Sequence, residues 1–189
     1  MSVLNPHPHL LTAENCLLIV IDMQEPFLRT IFQRERVLAN VCALISGANT
    51  LQIPVIGTTQ YAARMGDLVP EVRRLLPLRQ SIFDKMTFSC YADPSFSSEV
   101  TRADRKQILL CGVESHICVS QTAHDLIQAG YQVHLAVDAV SSRSETNYRL
   151  GLEKMRQAGV LTSSVEMALY EMLKEAGTSD FREILKIIK

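Results

Sequence analysis

QILLCGVESHICVSQTAHDLIQAGYQVHLAVDAV, residues 107–140, holds a complete strand–helix–strand unit. QILLCGV is a continuous apolar run, the pattern of a strand buried on both faces of a parallel sheet. From about 116 to 129 the apolar residues recur at helical spacing, and Gly130 supplies the stop. YQVHLAVDAV then reads as the next strand.

The same alternation extends in both directions. CLLIVID (16–22) is a second apolar, β-branched run. RERVLANVCALISGANTLQ (34–52) places Val37, Val41, Leu44, Ile45 and Leu51 at helical spacing, and Pro54 opens a short strand, PVIGTT. VPEVRRLL (69–76) reads as helical, SIFDK (81–85) as a strand and FSSEVTRAD (96–104) as a capped helix. ETNYRLGLEKMRQAG (145–159) is a helix ended by Gly159, VLTSS is the last strand, and helical segments close the chain. Alternating strands and helices imply a three-layer α/β fold, a parallel sheet with helices on both faces. No repeat or linker interrupts it, so residues 1–189 are expected to form one domain.

Composition narrows the function classes. The 189 residues are 47% hydrophobic and 21% charged, with 19 basic against 20 acidic residues and a net charge of -1. The charges are scattered, so no basic stripe awaits a phosphate backbone and nucleic acid is not an expected partner. MSVLNPHPHLLTAEN lacks the basic start and apolar run of a secretory leader. No apolar run approaches the roughly 20 residues that span a bilayer, so no membrane association is expected. Cys16, Cys42, Cys90, Cys111 and Cys118 are odd in number and form no C-x-x-C pair, which fits a reducing compartment and a cytoplasmic location.

In parallel α/β sheets ligands bind beyond the carboxyl ends of the strands. The candidate positions are therefore Asp22 and Gln24, Thr58 to Tyr61, Asp84 and Lys85, Glu114 to Cys118, and Asp138. Asp22 ends an apolar strand, where an unpaired carboxylate is costly, so it must be held by something; a cap and a functional group both remain open readings. Lys85 follows SIF and can lay its stem on the core edge or sit in water. Glu114 is open to a capping role and a pocket role.

Cys118 is more specific. A thiol in the first turn of a helix feels unpaired backbone N–H groups, which favour thiolate, and a nearby lysine would add to this. The same N–H groups could face a developing oxyanion. Cys111 lies within the strand and, with Cys16 and Cys42, reads as a small core residue. Gly112 has no second glycine to make a phosphate fingerprint, which disfavours a nucleotide-dependent oxidoreductase. The histidines at 7, 9, 116, 124 and 134 form no D-x-H or H-x-x-x-H group for a metal, and His124 reads as a helix-face histidine.

IVIDMQEPF, FDKMTFS and CGVESHICVSQTAHDLIQAGYQVHLAVDAVSSR together resemble the isochorismatase-like cysteine hydrolases in order, spacing and residue type. The D-x-Q, lysine and G-(V/I)-x-x-x-x-C-V elements are all present. TTQY with GVESHICV is most similar to the isochorismatase domain-containing protein subgroup. The resemblance implies a catalytic triad of Asp22, Lys85 and Cys118, and a six-stranded sheet in Rossmann-like order. It also implies a cis peptide between Val113 and Glu114 that helps aim the backbone N–H groups of Glu114 and Cys118 as an oxyanion hole.

GTTQYAARMG stands where the nicotinamidase branch carries a D-x-H metal motif. No catalytic metal and no cofactor are therefore expected, and nicotinamide becomes a poor candidate substrate. The leading expectation is a metal-independent cysteine hydrolase of a small carbonyl compound, an amide first, acting through a Cys118 thioester. Gln24, Phe27, Tyr61, Phe88, Glu114 and Ile117 are the expected pocket walls. The alternatives are hydrolysis of an isochorismate-like vinyl ether and a non-catalytic binding module on the same fold. The resemblance also implies a homo-oligomer, for which VEMALYEMLKEAG (165–177) offers an apolar face.

Overall fold

The run CLLIVI forms β1 (Cys16–Ile21), one of two central strands in a six-stranded parallel sheet ordered β3-β2-β1-β4-β5-β6. The computed structural model describes residues 7–76 and 82–189. Ser81, expected to open the third strand, and the first six residues of the N-terminal stretch lie outside the described residues.

After β1 come α1 (Glu25–Leu28), α2 (Arg34–Thr50), β2 (Val55–Gln60), α3 (Ala62–Met65), α4 (Pro70–Arg73) and β3 (Ile82–Lys85). The second half runs α5 (Pro94–Arg102), β4 (Gln107–Val113), a π-helical turn at Ser115–Val119, α6 (Ser120–Gln128) and β5 (Gln132–Ser141). It closes with α7 (Glu145–Gln157), β6 (Leu161–Ser163), α8 (Val165–Leu173) and α9 (Ser179–Ile188).

β1 shows why its sequence is apolar throughout. Leu18 and Val20 join a core with Val41, Leu44, Ile45, Leu169 and Ile184 on one side. Leu17, Ile19 and Ile21 join Phe96, Val100, Leu126 and Met155 on the other. Successive strand residues point to opposite faces, so a strand covered on both sides has no polar period. Each aliphatic side chain buried this way contributes about 1.5–3 kcal/mol.

Local signals mostly set the helix limits. Asp93 caps α5, accepting from Ser95 N at 2.9 Å and Phe96 N at 3.0 Å. Ser144 caps α7 by accepting from Asn147 N at 3.2 Å. Gly130 and Gly159 follow α6 and α7 at φ +88° and +97°, the left-handed conformation of a helix stop.

Two expectations change. The helix expected over 69–76 is a single turn, Pro70–Arg73. The apolar face of α8 is used inside the protein: Val165, Ala168, Leu169 and Met172 are buried. A Cβ on Gly47 of α2 would stand 2.4 Å from Leu169 Cδ2, so the Leu169 side chain packs directly over the α2 backbone there. Met167 and Tyr170, 53% and 40% exposed, remain on the outer side of α8.

The strand order places the change of winding direction between β1 and β4, which pair in register from Cys16↔Gln107 to Ile21↔Gly112. A crevice at such a point, beyond the carboxyl ends of the strands, is where this sheet type receives ligands.

Candidate active site

Four strand ends converge on that crevice. Asp22 follows β1 with φ +50°, and its N–H donates to Thr58 O of β2 at 3.2 Å. Beside it, Gly112 of β4 has φ +109°, and a Cβ there would lie 2.1 Å from Ile21 O. Glycine is therefore required where β4 passes the end of β1. Lys85 is the last residue of β3, in register with Gln60 of β2. Cys118 lies in the π-helical turn that follows β4, closed by Val119 N donating to Glu114 O at 3.2 Å. Such turns cluster at functional positions. The peptide between Val113 and Glu114 is cis.

Asp22, Lys85 and Cys118 meet within this frame, at 1%, 2% and 8% exposure. Lys85 Nζ donates to Asp22 Oδ2 at 2.7 Å and to Gln60 Oε1 at 2.7 Å, and stands 3.7 Å from Cys118 Sγ. Thr58 Oγ1 donates to Asp22 Oδ1 at 2.8 Å. Asp22 thus has one oxygen fixed by β2 and the other paired with the ammonium.

The electrostatics correct the expectation of a resting thiolate. Burial pushes the Cys118 thiol well up, and the Asp22 carboxylate adds to this by its charge and by accepting a hydrogen bond from the thiol. Lys85 pulls the other way and does not compensate. The lysine acts in the expected direction but is outweighed by desolvation and a neighbouring negative charge. At Lys85 burial opposes the ammonium, but Asp22 beside it leaves the group above the ordinary lysine value. The resting site is therefore a thiol beside a carboxylate–ammonium pair.

A cavity of about 100 Å³ opens on the thiol, lined by Asp22, Phe27, Gln60, Phe88, Val113, Glu114, Ile117, Cys118 and Arg143. Of the expected walls, Phe27, Phe88, Glu114 and Ile117 are there. Gln24 and Tyr61 are not among the lining residues. The Gln24 side chain is taken up by backbone: its Oε1 accepts from Gln60 N at 2.7 Å, and its Nε2 donates to Gly66 O at 2.6 Å. It positions the end of β2 rather than facing a ligand. Tyr61 is 40% exposed with φ +47° and starts α3.

Gln60, Val113 and Arg143 are the residues that sequence reasoning left out of the walls. Gln60 lies in the flagged 58–61 window, where the aromatic Tyr61 drew the choice. Arg143 lies two residues beyond the end of β5 at Ser141, close to the strand end read from the sequence at Val140, whereas the expected crevice position on this strand is Asp138. Asp138 therefore lies inside the strand, where its Oδ1 accepts from Val165 N at 3.0 Å. Asp84 points elsewhere too, accepting from Thr59 Oγ1 at 2.9 Å and Ala62 N at 2.8 Å.

Glu114 Oε2 accepts from Arg143 N at 2.8 Å and Arg143 Nε at 3.1 Å. Burial raises the Glu114 carboxyl, but the Arg143 hydrogen bonds and charge more than offset this and hold it below the usual carboxylate range. His116 Nδ1 bonds Ser142 Oγ at 2.9 Å, and His124 Nδ1 bonds Ser120 O at 2.7 Å. Among the described residues no three His, Cys, Asp or Glu side chains converge as metal ligands.

The Isochorismatase domain matches residues 16–167. The chain belongs to the isochorismatase-like family. It is 39% identical over 183 residues to a secreted isochorismatase effector, Isc1, of Phytophthora sojae, covering 95% of this chain and 87% of that protein. It is 37% identical over 180 residues to isochorismatase domain-containing protein 2 of Danio rerio, covering 94% and 89%. A solved structure described as MAR1 ribonuclease from Caenorhabditis elegans superposes with a TM-score of 0.88 at 35% identity, covering 94% of this chain and 91% of that one. The three-layer α/β fold of the family is thus present over nearly the whole sequence.

Proposed function

We propose that this isochorismatase-like protein is a cysteine hydrolase of a small carbonyl compound, an amide first, with Asp22, Lys85 and Cys118 as its triad. One observation carries the reading: a buried Lys85 ammonium lies 2.7 Å from Asp22 Oδ2 and 3.7 Å from Cys118 Sγ, and the carboxylate and the thiol both line a cavity. A thiol whose proton is held down by burial needs a base within reach, and Asp22 is that base.

The chemistry follows from those positions. Asp22 takes the Cys118 proton as Sγ bonds to the substrate carbonyl carbon, and the carbonyl electrons become an oxyanion. The N–H groups of Glu114 and Cys118 are proposed to receive that oxyanion. Its collapse breaks the C–N bond; the nitrogen leaves with the proton from Asp22, and a thioester remains. Asp22, again a carboxylate, takes a proton from water as the hydroxide oxygen attacks the thioester. Collapse of the second intermediate expels Sγ, which regains the proton. Lys85 stabilises the carboxylate and the sulfur as charge passes between them. No step runs through a metal.

Phe27, Phe88, Val113 and Ile117 give the cavity an apolar lining. Its volume of about 100 Å³ is below the range of roughly 300–1,000 Å³ for drug-sized ligands. That favours a substrate of a few heavy atoms. Nucleic acid is not part of the proposal, although the worm structure is described as a ribonuclease: the net charge is -1, and phosphate-backbone binding needs clustered positive charge.

A cytosolic location and a homo-oligomeric state belong to the same proposal. The first is supported by five free cysteines. The Phytophthora relative is named as secreted, so cell fractionation decides the matter, as light scattering decides the assembly. No helix of the described residues is long and apolar enough to cross a membrane. The activity itself is tested by presenting small amides and esters to the wild-type protein and to Cys118→Ala. Turnover by the first and none by the second is expected; equal turnover by both contradicts the triad.

A further inference from the structure

Two ion pairs border the cavity, Asp22 with the Lys85 behind it and Glu114 with Arg143, and each is closed on itself. Asp22 is held by Lys85 and Thr58. Glu114 is held by the backbone and guanidinium of Arg143. The one amide in the lining is also occupied: Gln60 Oε1 accepts from Lys85 Nζ at 2.7 Å, and Gln60 Nε2 donates to Met86 O at 3.0 Å.

We propose that this closed balance makes the site selective for uncharged substrates, and that the Glu114–Arg143 pair determines the selectivity. The inference rests on the cysteine-hydrolase reading and deepens it by naming the substrate class: small neutral amides and related neutral carbonyl compounds. An anionic substrate entering the cavity meets the carboxylates of Asp22 and Glu114. It can bind Arg143 strongly only by drawing the guanidinium from Glu114, whose side chain is 7% exposed, leaving a buried carboxylate unpaired. The water-facing part of Arg143, whose side chain is 59% exposed, offers an incoming carboxylate only a weak surface pairing. A cationic substrate faces the reverse problem at Asp22, which is already bound to an ammonium. Rejection therefore comes from pairs that a charged ligand must break, as in other sites where specificity is set by penalties on the wrong ligand.

Iodoacetamide and iodoacetate are nearly the same size and differ by one negative charge, so their alkylation of Cys118 reads the selectivity directly. In each case Sγ displaces iodide, forming the S–C bond, and the thiol proton is lost. Peptide mass spectrometry on the full chain separates Cys118 from the other cysteines. Each rate is divided by that of free cysteine under the same conditions.

The expected result is a preference for iodoacetamide at Cys118 about tenfold or more beyond that of free cysteine. Glu114→Gln frees the guanidinium and should shift the ratio toward iodoacetate. Arg143→Gln leaves the carboxylate uncompensated and should shift it further toward iodoacetamide, so the two variants move in opposite directions. A wild-type ratio equal to that of free cysteine, or variants that leave the ratio unchanged, overturns the proposal. Amide turnover is measured separately: charge selectivity at Cys118 with no amide hydrolysis defeats the hydrolase reading, and hydrolysis without selectivity defeats this one.

Discussion

Lys85 Nζ and Asp22 Oδ2 are 2.7 Å apart, and both side chains are 1% exposed. Removing one member of such a pair strands the other charge in a dry site, which typically costs about 3–5 kcal/mol. Lys85→Met is therefore expected to lower the urea midpoint by an amount equivalent to that loss. Asp22→Leu combined with Lys85→Met should recover much of it, because a buried pair replaced by apolar residues is often neutral. Equal midpoints for wild type and Lys85→Met would contradict the buried pair.

Thr58 holds the other oxygen of the same carboxylate, 2.8 Å from Asp22 Oδ1. Its own oxygen lies 3.8 Å from Cys90 Sγ, and Cys90 N donates to Thr122 Oγ1 of α6 at 2.9 Å. This chain ties the proposed base to β2, to the bend at Cys90 and to α6, making Thr58 a positioning residue in the proposal. Thr58→Val should lower kcat about ten- to a hundredfold with KM little changed, the loss of one hydrogen bond to a charged group. Thr58→Ser, which keeps the hydroxyl donor, should restore kcat, whereas a role in packing alone would be met as well by the nearly isosteric valine.

The two halves of the site were not equally legible in the sequence. CLLIVID, QILLCGV and YQVHLAVDAV show their burial on both faces as unbroken apolar runs, so the sheet and its helical crossovers can be read directly. Asp22, Lys85 and Cys118 follow because each sits at or just beyond a strand end. Arg143 also lies just beyond a strand end, two residues after Ser141, but its role depends on the Glu114 carboxylate it meets, a contact between distant segments that no local pattern reveals. The protonation of Cys118 was also out of reach. The sequence reveals a helix start and a lysine, but the depth of burial and the nearness of Asp22 exist only in three dimensions.

Burial depresses His134 in β5 from 6.5 to about 4, with the charge of His9 a smaller contributor. Its Nε2 lies 3.2 Å from Gln132 Oε1. The unfolded chain binds a proton that the folded chain excludes between those pH values, so stability is complete above pH 6.5 and declines as pH falls toward 4. The decline from this group is at most about 3 kcal/mol. Chemical denaturation of wild type and His134→Gln across this range should show a shallower loss in the variant; parallel curves would remove His134 as the cause.

Gly112→Ala should be among the most disruptive small changes. The added Cβ would lie 2.1 Å from Ile21 O at a residue with φ +109°, and neither backbone has room to yield. A large loss of soluble, folded protein by circular dichroism is expected, and a variant with native thermal stability would contradict the close approach of β1 and β4.

The central claim is a covalent acyl group on Cys118, and p-nitrophenyl acetate examines it most directly, since acylation releases nitrophenolate before the thioester is hydrolysed. The account predicts a rapid burst of nitrophenolate approaching one equivalent per chain, an acetyl mass on the peptide containing Cys118, and neither in Cys118→Ala. An equal burst in Cys118→Ala, or acetyl found only on other residues, would contradict it.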